Sequence, residues 1–384
     1  MSFRLQLQTA ALCLLAGLCV LPLAAQVVPA QPAAERETRF GIPVTEGPMD
    51  TILLKDYQPE SSLIVPVTNV PKARFPVIDV HTHASQGRIR TKEDVDDWVR
   101  TMDEVGIEYT VVFTGAHGDR FQQYVDLFKH QSKRFQLYCS LYASNVTAPD
   151  YPQRAAAEIE RCYQMGARGI GEVTDKGSGI QRDALPREQR LHFDDPRLDL
   201  AWQTCARLKM PVNFHIADHP SAWRPLGPNQ ERTPIFQTFN LHGKDVLSFE
   251  ELMATRDRML QKHPNTTFIA CHFSNMGHDL AALSKVLDRF PGLYLDLSAR
   301  DYEIGRQPRT AAAFLKKYKN RILFGTDMER DHAMYRGWWR LLETADEFIP
   351  GRIWWRYYGL ELPDDVLRAI YRDNAKKVLN LTSW

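Results

Sequence analysis

The chain has 384 residues, 44% hydrophobic and 25% charged, proportions of a soluble globular protein rather than of a disordered, collagen-like or membrane-embedded one. Lysine and arginine total 48 against 47 acidic residues, so no overall positive field exists to hold nucleic acid or an anionic membrane surface, and a nucleic-acid partner is disfavoured.

At the start of the chain Arg4 precedes the apolar run from Ala10 to Ala25, which closes on Pro22-Leu23-Ala24-Ala25. A charged start, a short apolar stretch and small residues at its end predict a secretory signal peptide over 1–25, hence a periplasmic or secreted protein. The run is shorter than the roughly 20 residues a spanning helix needs and is broken by Pro22, so no integral span is expected after its removal. Cys139, Cys162, Cys205 and Cys271 lie beyond it without CxxC or zinc-finger spacing and read as buried thiols. Residues 26–74 are rich in proline and polar side chains and hold no sustained period, which predicts an extension ahead of one domain over 75–384.

From Phe75 onward, strand-like apolar runs alternate with helical ones, the pattern of successive βα units around a parallel sheet. Strands are predicted at 75–82, 108–114, 135–143, 168–173, 211–216, 267–272, 293–298 and 321–326. Eight strands of this kind define an α/β fold, a (β/α)₈ TIM barrel, which takes about 250 residues. The first helix has the clearest signals: Thr91 and Asp94 resemble a capping box, Val95, Trp98, Val99 and Met102 fall at helical spacing, and Gly106 marks the stop. Further helices are predicted near 119–132, 153–165, 196–209, 248–263, 279–290, 310–319 and 363–379, the last opening on Pro363 with Asp364 and Asp365. Two long connections, 174–194 and 217–246, leave strand C-termini, where barrel active sites lie, and are expected to wall the substrate.

The chemistry-bearing residues sit at those same strand ends. Val77-Ile78-Asp79-Val80-His81-Thr82-His83 ends a strand with two imidazoles two apart, on one face, so that both reach one ion. His215 closes the fifth strand, His272 the sixth, and Gly325-Thr326-Asp327 delivers a carboxylate from the eighth. Each alone has an ordinary structural reading; four strand ends carrying metal-type ligands in one barrel do not arise readily by chance. Glu172 falls at the end of strand four, where it either recruits a second ion or pairs with Arg168. Asp79 shares the histidines' strand face and either orients one of them or is a hydrogen-bonded buried aspartate.

The Asp79–His83 stretch DVHTH, the FGTD stretch Phe324–Asp327 and the closing Asn374–Leu379 segment make residues 75–380 resemble the amidohydrolase superfamily, in particular its amidohydrolase-related branch that includes aminocarboxymuconate-semialdehyde decarboxylase. That resemblance implies a divalent metal on His81, His83, His215 and Asp327, with His272 and Asp327 catalytic. One ion is expected, two if Glu172 bridges; histidine and carboxylate ligands suit Zn²⁺, the expected ion in an exported protein, as well as Mn²⁺, Fe²⁺ or Co²⁺. The expected activity is hydrolysis of an amide, ester or lactone of a small molecule by a metal-activated water, Asp327 accepting its proton and His272 polarising the substrate oxygen. Non-oxidative decarboxylation of an unsaturated or aromatic acid is the alternative within the branch. Arg300, or Arg224 with Trp223, would anchor a substrate carboxylate, although salt-bridging is an arginine's commoner use. A reading of another class, a secreted metal-containing binding module, rests on Trp338, Trp339, Trp354, Trp355, Tyr357 and Tyr358, a sugar platform or a homo-oligomer interface if exposed.

Overall fold

The computed structural model describes residues 47–84, 89–181, 183–227, 230–232, 237–328, 330–351 and 355–381. The expected signal peptide and residues 26–46 of the expected extension lie outside these residues. Two units separate along the chain, 1–63 and 64–384. In the first, the described residues hold a single 3₁₀ turn, Leu54–Asp56. Among the described residues no helix is long and apolar enough to cross a membrane.

In the second unit, strand β1 (Val77–His83) pairs in parallel with β2 (Ile107–Phe113), and β2 with β3 (Phe135–Tyr138). Strands β4 (Ile170–Asp175), β5 (Val212–Ile216), β6 (Phe268–Ala270), β7 (Tyr294–Asp296) and β8 (Ile322–Leu323) form a second parallel sheet in chain order. Hydrogen bonds stitch both seams. Cys139 N–H donates to Gly169 O at 3.2 Å and Cys139 O accepts from Gly171 N–H at 3.0 Å; Val80 N–H donates to Phe324 O at 2.9 Å and Asp327 N–H to His81 O at 2.8 Å. The eight strands thus follow one another around the ring expected of a (β/α)₈ chain. Gly325 lets the last strand close on the first, since a Cβ there would stand 2.9 Å from the His81 Cβ.

Helices α1 (Lys92–Val105), α2 (Gly118–Phe128), α3 (Tyr151–Met165), α4 (Asp199–Leu208), α5 (Phe249–Lys262), α6 (Leu280–Arg289), the one-turn α7 (Asp301–Ile304), α8 (Pro308–Lys317) and α9 (His332–Glu343) follow in chain order. Helix α1 starts on the Thr91–Asp94 capping box and stops at Gly106, whose φ of 97° suits only glycine. Its apolar stripe buries Val95, Trp98 and Met102, each worth about 1.5–3 kcal/mol against exposure. Helix α5 repeats the device with Ser248 and Glu251.

Helix α9 departs from the sequence reading, in which 328–362 holds no helix. Asp331 caps it, and Tyr335, Trp338, Trp339 and Leu342 turn inward, packing on Phe324 and Tyr371. Trp338 and Trp339 are therefore core residues, and Tyr357 is buried with them, so these three form no surface platform; Trp355 is exposed, and Trp354 lies outside the described residues. A two-residue hairpin, β9 (Ile349–Pro350) with β10 (Arg356–Tyr357), follows. The final helix, expected as one piece, is α10 (Asp364–Arg368) and α11 (Asn374–Val378) joined by a π turn over Ala369–Asp373. The π turn sets the Ile370 carbonyl to accept from Phe324 N–H at 3.0 Å, which ties the chain's end to β8.

The connections after β4 and β5 pack on each other. Arg190 donates to Asp245 O and Oδ2, both at 2.7 Å, and Leu247 N–H donates to Gly177 O at 2.9 Å.

Candidate active site

Four imidazoles and two carboxylates meet at the C-terminal strand ends. His81 is buried; its Nε2 lies 3.3 Å from His83 Nε2, 3.4 Å from Asp327 Oδ1 and 3.7 Å from Glu172 Oε1. His83 Nε2 stands 3.0 Å from Asp327 Oδ1. Glu172 Oε1 lies 2.9 Å from His215 Nδ1 and 3.1 Å from His272 Nε2. Glu172 thus sits at the centre; Arg168 donates instead to Ala167 O at 2.9 Å. His215 groups with Glu172 and His272 rather than with His83 and Asp327, while a second group joins His81, His83 and Glu172.

The outer nitrogens decide what the inner ones present. His272 Nδ1 faces the Ser298 carbonyl at 2.9 Å, and His215 Nε2 faces the Ala217 carbonyl at 2.9 Å. A carbonyl only accepts, so both outer nitrogens carry the proton. His81 Nδ1 likewise donates to Asp296 Oδ2 at 2.9 Å. In the neutral ring each inner nitrogen then offers a lone pair, and three lone pairs converge on the Glu172 carboxylate. Acceptor facing acceptor at these distances is stable only with a cation between, either a proton or a metal ion, and this is the donor set a divalent ion requires. Burial opposes ionisation of Glu172, yet His215, His272 and His81 hold its carboxyl well below the usual carboxylate range. Asp327 is held low in the same way by His81 and His83, against burial.

Two residues that support this cluster were not singled out in the sequence. Asp296 is fully buried; its Oδ1 accepts from His272 N–H at 2.9 Å and from the Ser298 N–H at 3.1 Å and hydroxyl at 2.5 Å, and its Oδ2 from His81. Ser298 Oγ lies 3.0 Å from His81 Nδ1 and 2.8 Å from His272 Nδ1. Alternating polar residues in Leu295-Asp296-Leu297-Ser298 were the available signal. Asp79 reaches neither imidazole: it accepts from Thr326 Oγ1 at 2.6 Å, Tyr335 OH at 3.0 Å and the His81 backbone at 3.1 Å. It ties β1 to the β8 loop, where the β1 register slips between Asp79 and Thr82.

Arg300 is buried and committed inside the protein. Its Nε donates to His272 O at 3.0 Å, its Nη1 to Ala299 O at 2.9 Å and Tyr302 OH at 2.8 Å, and its Nη2 to Asn275 Oδ1. Those bonds hold a left-handed turn, with φ of 57°, 52°, 54° and 52° from His272 to Asn275, a conformation costing about 1–2 kcal/mol per residue. Arg300 therefore positions His272, and its hydrogen-bonding capacity is largely spent. Arg224 is exposed, and among the described residues no hydrogen bond or ion pair joins its guanidinium to the cluster.

A second cationic group lies on the same rim. Around buried Glu303 stand Arg232 and His219, each 3.9 Å from Oε1, and Arg300, 3.7 Å from Oε2. His278 packs against His219 with ring centroids 4.9 Å apart. Burial, then Arg232, His278, Arg300 and Arg306, drive the His219 pKa down to about 2. Asp218, at 3.8 Å from His215 Nε2, links this group to the histidine cluster.

A parallel eight-stranded α/β chain with imidazoles and carboxylates on its C-terminal strand ends defines a TIM-barrel enzyme of metal-binding type. The amidohydrolase family model matches residues 78–381, and the chain belongs to that family, as an enzyme of the amidohydrolase superfamily. No curated protein matches it. It is similar in fold to 2,6-dihydroxybenzoate decarboxylase complexed with 2,6-dihydroxybenzoate, at 16% identity and TM-score 0.51 over 80% of this chain and 100% of that one. A 2,6-dihydroxybenzoate decarboxylase from Rhizobium gives 16% and 0.50 over 80% and 100%, and a TIM-barrel protein from Bordetella bronchiseptica 17% and 0.51 over 80% and 99%. At such identities the likeness concerns the fold.

Proposed function

We propose that the chain is a metal-dependent hydrolase that opens an amide, ester or lactone bond in a small molecule carrying a carboxylate. The observation that carries this reading is the set of three imidazoles whose outer nitrogens are pinned to Asp296, Ala217 O and Ser298 O while their inner nitrogens turn to Glu172. His81, His83, Glu172 and Asp327 would hold one ion, and Glu172, His215 and His272 a second, with the Glu172 carboxylate shared; Zn²⁺ suits these donors. When bound, a divalent ion supplies Lewis-acid polarisation of a carbonyl and acidifies a water to a pKa near 7.

The chain's own residues supply the rest. Asp327 turns Oδ1 to both first-strand imidazoles, and its Oδ2 takes a water proton and returns it to the leaving group. Arg300 fixes the His272 backbone, and Asp296 with Ser298 fixes the tautomers of His81 and His272. Arg232, rather than Arg300 or Arg224, receives the substrate carboxylate as the cation, with the neutral His219 beside it as a hydrogen-bond partner.

Metal content per chain, measured by elemental analysis on wild type, His215→Ala and Glu172→Ala, tests the site. Two ions with one lost in either variant is expected; no metal in the wild type sinks the reading. Assay of the loaded protein against lactone, ester and amide acids tests the reaction. Release of CO₂ from an aromatic or unsaturated acid, with no hydrolysis, would assign decarboxylation instead.

A further inference from the structure

A cavity of about 310 Å³ lies against the β8 loop, one residue to either side of Asp327: Thr326 and Met328 form part of its wall, and Asp301, α9 and the β9–β10 hairpin supply the remainder. An apolar cavity of about 150 Å³ already takes benzene, so this volume holds a ring with several further atoms. Met334, Trp338 and Tyr357 make the body apolar, whereas Asp301 and Asp331 are its only charged side chains among the described residues. Among the described residues no lysine, arginine or histidine lines it. The charge pattern is the reverse of that around Arg232, so the two suit opposite ends of a molecule.

We propose that this cavity is a subsite for the apolar arm of the substrate, an aryl or alkyl group ending in an ammonium or hydroxyl donor, with the reacting bond between that arm and the carboxylate. The inference rests on the hydrolase reading for its link to catalysis. It names a substrate class, an acid whose far end is apolar and not anionic. Asp331 can serve a ligand while capping α9, because Oδ1 accepts from Met334 N–H at 3.0 Å and a second oxygen remains on the carboxylate. Gly337 lines the cavity from the interior of α9, and a Cβ built there meets nothing within 4 Å. Gly337 is exposed, on the open side of the cavity; glycine is a poorer helix former than alanine, so substitution there does not oppose the helix, and a large side chain obstructs the cavity mouth.

The test is calorimetric titration of the metal-loaded protein with phenethylammonium and its neutral isostere 2-phenylethanol. Both are expected to bind wild type. Gly337→Phe should weaken both at least tenfold, and Asp331→Asn, which keeps the cap, should weaken phenethylammonium at least fivefold and leave 2-phenylethanol unchanged. Gly337→Ala should fold with unchanged or raised Tm, which separates obstruction of the cavity from damage to the helix. Failure of both probes to bind wild type, or binding indifferent to Gly337→Phe, overturns the proposal. Metal content of the same samples distinguishes the two readings: metal bound without probe binding refutes the subsite alone, and probe binding to a chain that takes no metal refutes the hydrolase reading alone.

Discussion

Replacing Asp296 by asparagine is expected to weaken metal binding about 10- to 100-fold, the usual effect of losing a partner that orients a ligating histidine. The two carboxylate oxygens do different things: Oδ2 takes the proton of His81 Nδ1, and Oδ1 takes those of His272 N, Ser298 N and Ser298 Oγ. Asparagine has one acceptor and one donor end. With its oxygen toward the backbone donors, its NH₂ meets His81 Nδ1 and forces the other tautomer, which puts a proton on Nε2 where the cluster needs a lone pair. With its oxygen toward His81, the NH₂ meets two backbone N–H groups, leaving buried donors unsatisfied at about 1–3 kcal/mol. The affinity loss corresponds to about 1.4–2.7 kcal/mol. Asp296→Ala removes the same bonds but forces no tautomer, so asparagine, the better steric match, should bind metal no more tightly than alanine. Competition against a chromophoric chelator, with thermal unfolding of the metal-free proteins alongside, measures both effects. Asparagine within twofold of wild type in affinity, or tenfold tighter than alanine, would refute the tautomer argument.

Four further outcomes are expected. Glu172→Gln removes the shared charge, and elemental analysis should find at least one ion fewer per chain; an unchanged count would show that Glu172 is not a ligand. Arg300→Lys cannot reproduce the bonds to His272 O, Asn275 and Tyr302, and urea unfolding should register a loss of about 3 kcal/mol, whereas a loss under 1 would mean the left-handed turn holds itself. His219 stays neutral in the folded protein down to about pH 2, while in the unfolded chain it takes a proton near 6.5. The unfolded state therefore binds more protons below that value, and His219 removes about 1.4 kcal/mol of stability per pH unit as pH falls from 6.5. His219→Gln should flatten the fall in urea stability between pH 6 and 4 by that slope; parallel curves would refute it. Thr91→Ala should cost about 1 kcal/mol through loss of the α1 cap, read from the same unfolding curves.

What could be read from the chain and what could not divide along a physical line. The strand ends were legible because a parallel barrel places every strand C-terminus on one rim, so position along the sequence translates directly into proximity: His81, His83, His215, His272 and Asp327 meet although 246 positions separate the first from the last. The lengths were less so, since β7 and β8 are three and two residues long only, the chain leaving the ladder early ahead of Ser298 and Asp327. Helix α9 had a readable stripe in Tyr335, Trp338, Trp339 and Leu342, but four aromatic or large residues with two arginines look equally like a surface patch until Phe324 and Tyr371 are known to lie beneath them. The tautomers were not legible at all. Which nitrogen of His81 is free to bind is decided by Asp296, 215 positions away, and that of His272 by the Ser298 carbonyl, a backbone atom with no sequence identity. For Arg300 the difference between anchoring a substrate and holding a left-handed turn is burial, a property of the packed chain. Chemistry that depends on which residue stands at a strand end is thus carried by linear order, whereas chemistry that depends on where a proton sits is set by long-range packing, which makes Asp296 rather than any imidazole the sharpest point at which to test the site.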